Sequence, residues 1–371
     1  MMKKLFTALA LSSAAIVATP VFAQDLETIA EFDKRPGNPT VSADGRVFVT
    51  MSALDNPEVN VLEVMPDGTT KVFPNEVWAS KPTQGTVVGI NSTIGLQAVG
   101  DHLWVMDMGA PDKGQPPKLV AWNLSDGSLH RALPIPAPAL VGNSFLQDFA
   151  IDQERGIAII ADMTQPFASD TGPADTRPAF VVVDLDTRLA RRVLENHPSM
   201  QPAGDTIVLN GRAVTHKPKN GEAFSPQYPL NPIAISPDSE WLYFGAMGNT
   251  KVYRLPAAML SSSTIPERLV AESVQFYRNK PETDGIDVDS DGRVYVTDVE
   301  NFAVGVVDEN GYRVLAEDED RLEWPDGVAV SRDGYLYIVA NELNNLPALN
   351  AGTDASTPPF YLHRIKIEGS R

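Results

Sequence analysis

The chain has 371 residues, a formal net charge of −18 at pH 7 and no cysteine. That acidity excludes nucleic-acid and anionic-membrane partners, which need basic patches. The absence of cysteine excludes a disulfide framework and leaves stability to a large apolar core.

Residues 1–23 read as a cleavable secretory signal peptide. Lys3 and Lys4 precede an apolar run from Leu5 to Ala18, and Val21-Phe22-Ala23 forms a cleavage site before Gln24. The run is too short to span a bilayer. The expected product is periplasmic or secreted, and residues 24–371 are expected to form one domain. Loss of the two lysines takes the charge from −18 to −20.

One pattern then recurs along the chain. Asn38 opens NPTVSADGRVFVT, Gly95 opens GLQAVGDHLWVMD and Asp148 opens DFAIDQERGIAIIAD. Asn231 opens NPIAISPDSEWLYFG, Asp284 opens DGIDVDSDGRVYVTD and Asp326 opens DGVAVSRDGYLYIVAN. Each copy alternates apolar residues at strand period on both sides of a Gly/Asp turn. Six short hairpins at a roughly blade-sized period predict an all-β fold, a six-bladed β-propeller. The interval from Asp148 to Asn231 is too long for a bare blade. Its excess falls in a Pro-, Gly- and Asn-rich loop from about Asn196 to Tyr228, placed on the functional face. Ala257 to Ser262 is expected to be a single helical turn. Ring closure is expected from Asp25–Phe32 lying beside Tyr361–Ile367.

PPKL at 116–119, LQDFAID at 146–152, IADMT at 160–164, NPIAISPDSEWLYF at 231–244 and LEWPDGVAVSRDGYLYIVANEL at 322–343 stand in order along the chain. With RPGNPTVSADGRVFVT at 35–50 and GDHLWVMDMG at 100–109, this series resembles the Yellow/major royal jelly protein family. The resemblance spans essentially the whole mature chain. It implies a secreted six-bladed propeller, with dopachrome conversion or the binding of small amines among the family's roles. The chain departs from the arthropod pattern in having no cysteine, and Gln115 stands where a Cys is common. The Asn-Pro and Asp-Gly openings also resemble the calcium-dependent lactonase propellers of the gluconolactonase and paraoxonase type, whose strand-opening acids and amides converge on a cation. Those enzymes open blade 1 with a Glu, where this chain has Asn38-Pro39.

Inner strands of a propeller run side by side along the axis, so their opening residues crowd one mouth of the channel. Here these are Asn38, Asp148, Asn231, Asp284 and Asp326, all hard oxygen donors of the kind Ca2+ gathers. Three carboxylates that close repel unless a cation or protons neutralise them. Each could instead cap its own hairpin or bond a neighbouring blade's backbone. The expected metal ligands are Asn38, Asp148, Asn231 and Asp284. Asp326 is a further ligand or the general base, and Trp324 is a platform for a stacked ligand. His197 and His216 lie in the long loop as candidate acid/base groups. No His pair has zinc spacing. Asp287 to Asp298 mimics the start of an EF-hand loop, but strands flank it, so it reads as a hairpin turn.

Three functions fit. The first is a metal-assisted hydrolase of small lactones or related carbonyl compounds, with Ca2+ as Lewis acid. The second is a binding protein for a small amine or aromatic ligand. The third is a dopachrome-type tautomerase needing only acid/base groups. A small molecule is the expected partner and a monomer the expected state, since a closed propeller leaves no sheet edge that forces association.

Overall fold

The computed structural model describes residues 25–83 and 86–367; residues 1–23, expected to be a signal peptide, lie outside them. Six four-stranded antiparallel sheets stand around one axis. Innermost strand first, blade 1 is Pro36–Val41, Val47–Met51, Val61–Val64 and Thr70–Val72. Blade 2 is Thr93–Val99, His102–Asp107, Lys118–Asn123 and Leu129–Pro134. Blade 3 is Leu146–Asp152, Ile157–Asp162, Ala179–Asp184 and Ala190–Val193. Blade 4 is Leu230–Ile235, Trp241–Ala246, Lys251–Pro256 and Gln275–Asn279. Blade 5 is Ile286–Val288, Val294–Asp298, Ala303–Asp308 and Gly311–Glu317. Blade 6 is Pro325–Val330, Tyr335–Ala340 and Phe360–Lys366, completed by the N-terminal strand Glu27–Phe32. The ring closes through that strand, with Phe32 opposite Phe360 and Glu27 opposite Arg364. Among the described residues no helix is long and apolar enough to cross a membrane.

The sequence repeats have direct structural roles. In blades 1, 2, 3, 4 and 6 the innermost pairing slips at the opening residue, as between Pro36 and Pro39 or between Pro325 and Val328. These bulges re-aim the opening side chains toward the axis. The openings sit inside the strands in those blades, not at their first residue. The glycines that follow Asp284 and Asp326 are steric necessities. A Cβ on Gly285 would lie 2.1 Å from the Asp326 carbonyl oxygen, and one on Gly327 would lie 2.7 Å from Asn38 Oδ1. Neighbouring inner strands touch at these points.

Side-chain acceptors on the inner strands also lash each blade to the next. Thr40 Oγ1 accepts from Ala98 N–H (3.0 Å), Gln97 Oε1 from Ile151 N–H (2.8 Å) and Asp287 Oδ2 from Val330 N–H (2.8 Å). The recurrent acid ending the second strand holds the outer part of its blade. Asp107 accepts backbone N–H groups from Asn91, Ser92 and Gly109 and pairs with Lys118 of the PPKL stretch. Asp162 does the same for Phe145 and Thr164, pairing with Arg192 at 2.5 Å. The EF-hand mimic is a turn: Asp289 accepts from Asp291 and Arg293 N–H and pairs with the Arg293 side chain at 2.8 Å.

Apolar side chains fill the spaces between blades. Phe180 of blade 3 meets Phe244 of blade 4 edge-on, centroids 5.1 Å apart, and neither is exposed. Truncating either ring costs about 3–5 kcal/mol at such a site. His363 seals the closing blade. It is fully buried, its Nε2–H donates to the Arg321 carbonyl (2.9 Å) and its Nδ1 accepts from the Thr28 hydroxyl (3.1 Å). Burial drives its pKa down to about 4 from an unfolded value of 6.5. Its stabilising contribution is therefore complete above pH 6.5 and is lost as pH falls toward 4. The loss amounts to about 3 kcal/mol. Burial of Asp148 acts in the opposite sense in the same window, so the comparison must be made between variants. In urea titrations at pH 7, 5 and 4, the stability of His363→Gln relative to the parent should rise by that amount as pH falls.

Candidate active site

The five opening residues do not share one environment. Asp284, Asn231 and Trp324 meet directly, although they come from blades 5, 4 and 6. Asp284 Oδ1 accepts from Asn231 Nδ2 (2.7 Å) and Gln147 Nε2 (3.3 Å), and its Oδ2 accepts from the Trp324 indole N–H (2.8 Å). Asp326 Oδ2 accepts from Asn341 Nδ2 (2.6 Å), which also reaches the Pro36 carbonyl (3.0 Å). Asp148 takes the backbone role instead: its Oδ2 accepts from Ile233 N–H of the next blade (3.2 Å) and its Oδ1 from Phe149 N–H (2.9 Å). The Asn38 backbone N–H donates to Thr50 Oγ1 (3.0 Å). Asn38, Asp148 and Asp287 line an axial cavity of about 40 Å3. That volume holds a few waters and nothing larger.

Burial lifts all three opening carboxyls, but by different balances. Asp148 is pushed up to about 7, chiefly by desolvation against two backbone N–H bonds. Asp284 is raised by burial and pulled back by Trp324, Asn231 and Gln147, then by the charge of Lys280. Asp326 is raised well above the carboxylate range by burial and the negative charges of Asp284 and Asp148, with Asn341 as its counterweight. Of the two, Asp326 is lifted further, so Asp284 gives up its proton first. Such divergence within one site marks an acid and a base.

Four further residues complete the site. Gln147 and Asn341 hold the two acids. Lys280 is buried, and desolvation pushes its ammonium down to about 7 while the charges of Glu282, Asp284 and Asp298 pull it up. Its Nζ donates to the Pro281 carbonyl (3.1 Å) and the Asn249 carbonyl. Tyr228 is buried near enough for the Asp284 charge to disfavour its phenolate. The Tyr228 hydroxyl and Asn341 Oδ1 have no hydrogen-bond partner among the described residues. Gln147 and Asn341 lie inside stretches already singled out. Lys280 and Tyr228 carry no pattern of their own, because their roles come from burial.

The mouth itself is covered. Ile207, Leu209, Val214 and Tyr228 of the long loop pack with Leu343, Leu346 and Leu349 onto Met163, Met247 and Trp324. A hairpin of Val208–Leu209 and Arg212–Ala213 forms part of this cover, and Arg212 ties it down through the Asn344 carbonyl (3.0 Å) and Asn345 Oδ1 (2.7 Å). Asp284 is 4% exposed, Asp326 3% and Trp324 1%. Trp324 is held with φ at +50°, a strained setting for a bulky residue and one that occurs at functional sites. His197 caps the turn at Pro198–Met200, while His216 donates to the Ala348 carbonyl (2.8 Å) and stacks on Phe167. His216 thus helps to build the cover, while His197 belongs to the turn packed beside blades 3 and 4.

The donor types suit a hard cation, but the placement does not. Both Asp284 oxygens are occupied by N–H donors, and among the described residues no three His, Cys, Asp or Glu side chains are placed to hold a metal ion.

Fold and site together define a six-bladed propeller with buried acids on its axis. The chain belongs to the major royal jelly protein family, whose model it matches over residues 98–361. No curated protein matches it. Among solved structures it is similar to regucalcin from Agrobacterium tumefaciens, a calcium-binding protein, with TM-score 0.56 and 13% identity over 95% of this chain and 98% of that one. It is also similar to a gluconolactonase from Xanthomonas campestris, with TM-score 0.54 and 13% identity over 95% and 93% of the two chains. A luciferin-regenerating enzyme matches with TM-score 0.53 and 13% identity over 94% and 98%. At such identity these likenesses establish the propeller fold alone.

Proposed function

We propose that the protein is an exported hydrolase of small lactones or related carbonyl compounds, acting through Asp284 and Asp326. The observation that carries this reading is the unequal setting of the two buried carboxyls. Asp284, ionised and held by three N–H donors, takes a proton from water as that water attacks the carbonyl carbon. Asp326 delivers its proton to the ring oxygen as the acyl–oxygen bond breaks. The unpartnered Tyr228 hydroxyl and Asn341 Oδ1 are free to bond the substrate. Water reaches the acids along the axial cavity, and the substrate enters where the cover parts from Trp324.

Calcium assistance is the second reading. The mutual repulsion of Asp148, Asp284 and Asp326 favours it, as does the likeness to a calcium-binding propeller. Asn38, Asp148, Asn231 and Asp284 would hold the ion, which would polarise the carbonyl once the N–H donors had given way. The test is hydrolysis of a lactone panel by mature protein treated with chelator, with and without added Ca2+. Turnover in chelator supports the acid pair, and turnover restored only by Ca2+ supports the cation. No hydrolysis of any lactone under either condition would sink both.

A further inference from the structure

A second feature lies at the other end of the blades, where the first hairpin turns of blades 4 and 5 meet. Asp284 precedes the inner strand Ile286–Val288, whereas this feature is built around the turn that follows it. A groove of about 510 Å3 there is walled by Trp241, Tyr243 and Tyr277, with Arg254, Glu240 and Asp291 among its polar residues. Arg254 stands opposite Tyr243 across two strands of blade 4, which puts both on one face of the sheet. Its guanidinium carbon lies 4.0 Å from the centroid of the Trp241 ring and 5.1 Å from that of Tyr277.

This arginine is held but not partnered. Its Nε is buried without a hydrogen-bond partner, and no carboxylate pairs with it among the described residues. The acids around the groove are engaged elsewhere. Asp289 and Asp291 each pair with Arg293 at 2.8 Å, and Asp238 accepts the Ser236 hydroxyl (2.5 Å) and Glu240 N–H (3.0 Å). Arg254 is half-buried, so its charge is partly desolvated without a counter-ion, a setting that an anion would complement. The two aromatic faces fix the plane of the guanidinium and pre-set its fork, the geometry that takes an oxoanion through two parallel bonds.

We propose that this groove is a binding site for the carboxylate or phosphate group of a small anionic ligand, with Arg254 as its anchor and Trp241 and Tyr277 as its wall. The site stands apart from the axial acids and does not depend on the reaction proposed for them. Titration calorimetry at low ionic strength tests it with three probes: galacturonate, inorganic phosphate and neutral galactose. Binding of galacturonate or phosphate but not of galactose is expected. The stronger of the two anions tells a carboxylate ligand from a phosphorylated one. Arg254→Met should abolish the heat, and Arg254→Lys should weaken binding roughly tenfold because an ammonium lacks the planar fork. Glu240→Gln, which removes one negative charge from the groove's lining, should tighten binding of either anion and serves if the arginine variants fail to fold. Silence from both anions, galactose binding as tight as galacturonate, unchanged binding by Arg254→Met or unchanged binding by Glu240→Gln would each overturn the proposal.

Discussion

Asp284→Asn is expected to lower kcat/KM for the best lactone by about 10²–10⁴, the range that a positioned general base supplies. The substitution keeps the shape of the side chain and removes the charge. One oxygen that now accepts from Asn231, Gln147 or Trp324 becomes an NH2 group, so a buried donor loses its acceptor. A melting curve taken alongside separates that structural cost from the chemical one. Asp326 should respond as well. With the Asp284 charge gone, one of the two negative charges that hold its proton disappears, and its carboxyl should fall toward the ordinary range. Asp326→Asn should also depress turnover, leaving the base in place without its acid. Unchanged kcat/KM in Asp284→Asn would remove the acid–base reading.

Arg35→Met is expected to destabilise the protein by roughly 3–5 kcal/mol, the cost of breaking a buried ion pair by removing one partner. Arg35 is 2% exposed and stands where the ring closes. Its Nη1 pairs with Asp55 of blade 1 at 2.9 Å, its Nε donates to the Asn341 carbonyl of blade 6 at 2.7 Å, and its guanidinium lies 4.5 Å over the Phe360 ring. Methionine refills the apolar contact with Phe360 and leaves Asp55 Oδ1 and the Asn341 carbonyl without their side-chain donor. The melting temperature should drop by roughly 6–10 °C for a domain of this size. A drop of under 2 °C would show that blade 6 is closed by strand pairing alone.

The propeller was legible because its period is written in local chemistry. Hairpin turns, strand alternation and the polar openings of Asn38, Asp148, Asn231, Asp284 and Asp326 are all short-range signals, and each falls on an inner strand or just before one. The pairing of the N-terminal strand with the last blade was legible only from position, as the two ends of a ring that must close. Less legible was what each opening residue does. Asp148 and Asp284 both follow the same pattern, yet one bonds a neighbouring backbone and the other gathers three side-chain donors. Asp148 sits at a bulge inside its strand, whereas Asp284 precedes an inner strand that pairs without one, and where each side chain points depends on the adjoining blade. The cover over the mouth was legible as a long loop but not as a lid, because Ile207, Leu209 and Val214 have no strand or helix period to declare which surface they bury. Lys280 and Tyr228 gain their significance from burial, which only the assembled ring produces.

The acid–base reading requires Asp284 and Asp326, neighbours on the axis, to lose their protons at different pH. A 13C carboxyl titration of protein labelled at aspartate, with Asp284→Asn and Asp326→Asn assigning the two signals, tests it most directly. The resonance assigned to Asp326 should keep the shift of a protonated acid to higher pH than that of Asp284. If both carboxyls titrate together in the ordinary range near pH 4, the site holds no acid–base pair and the account fails.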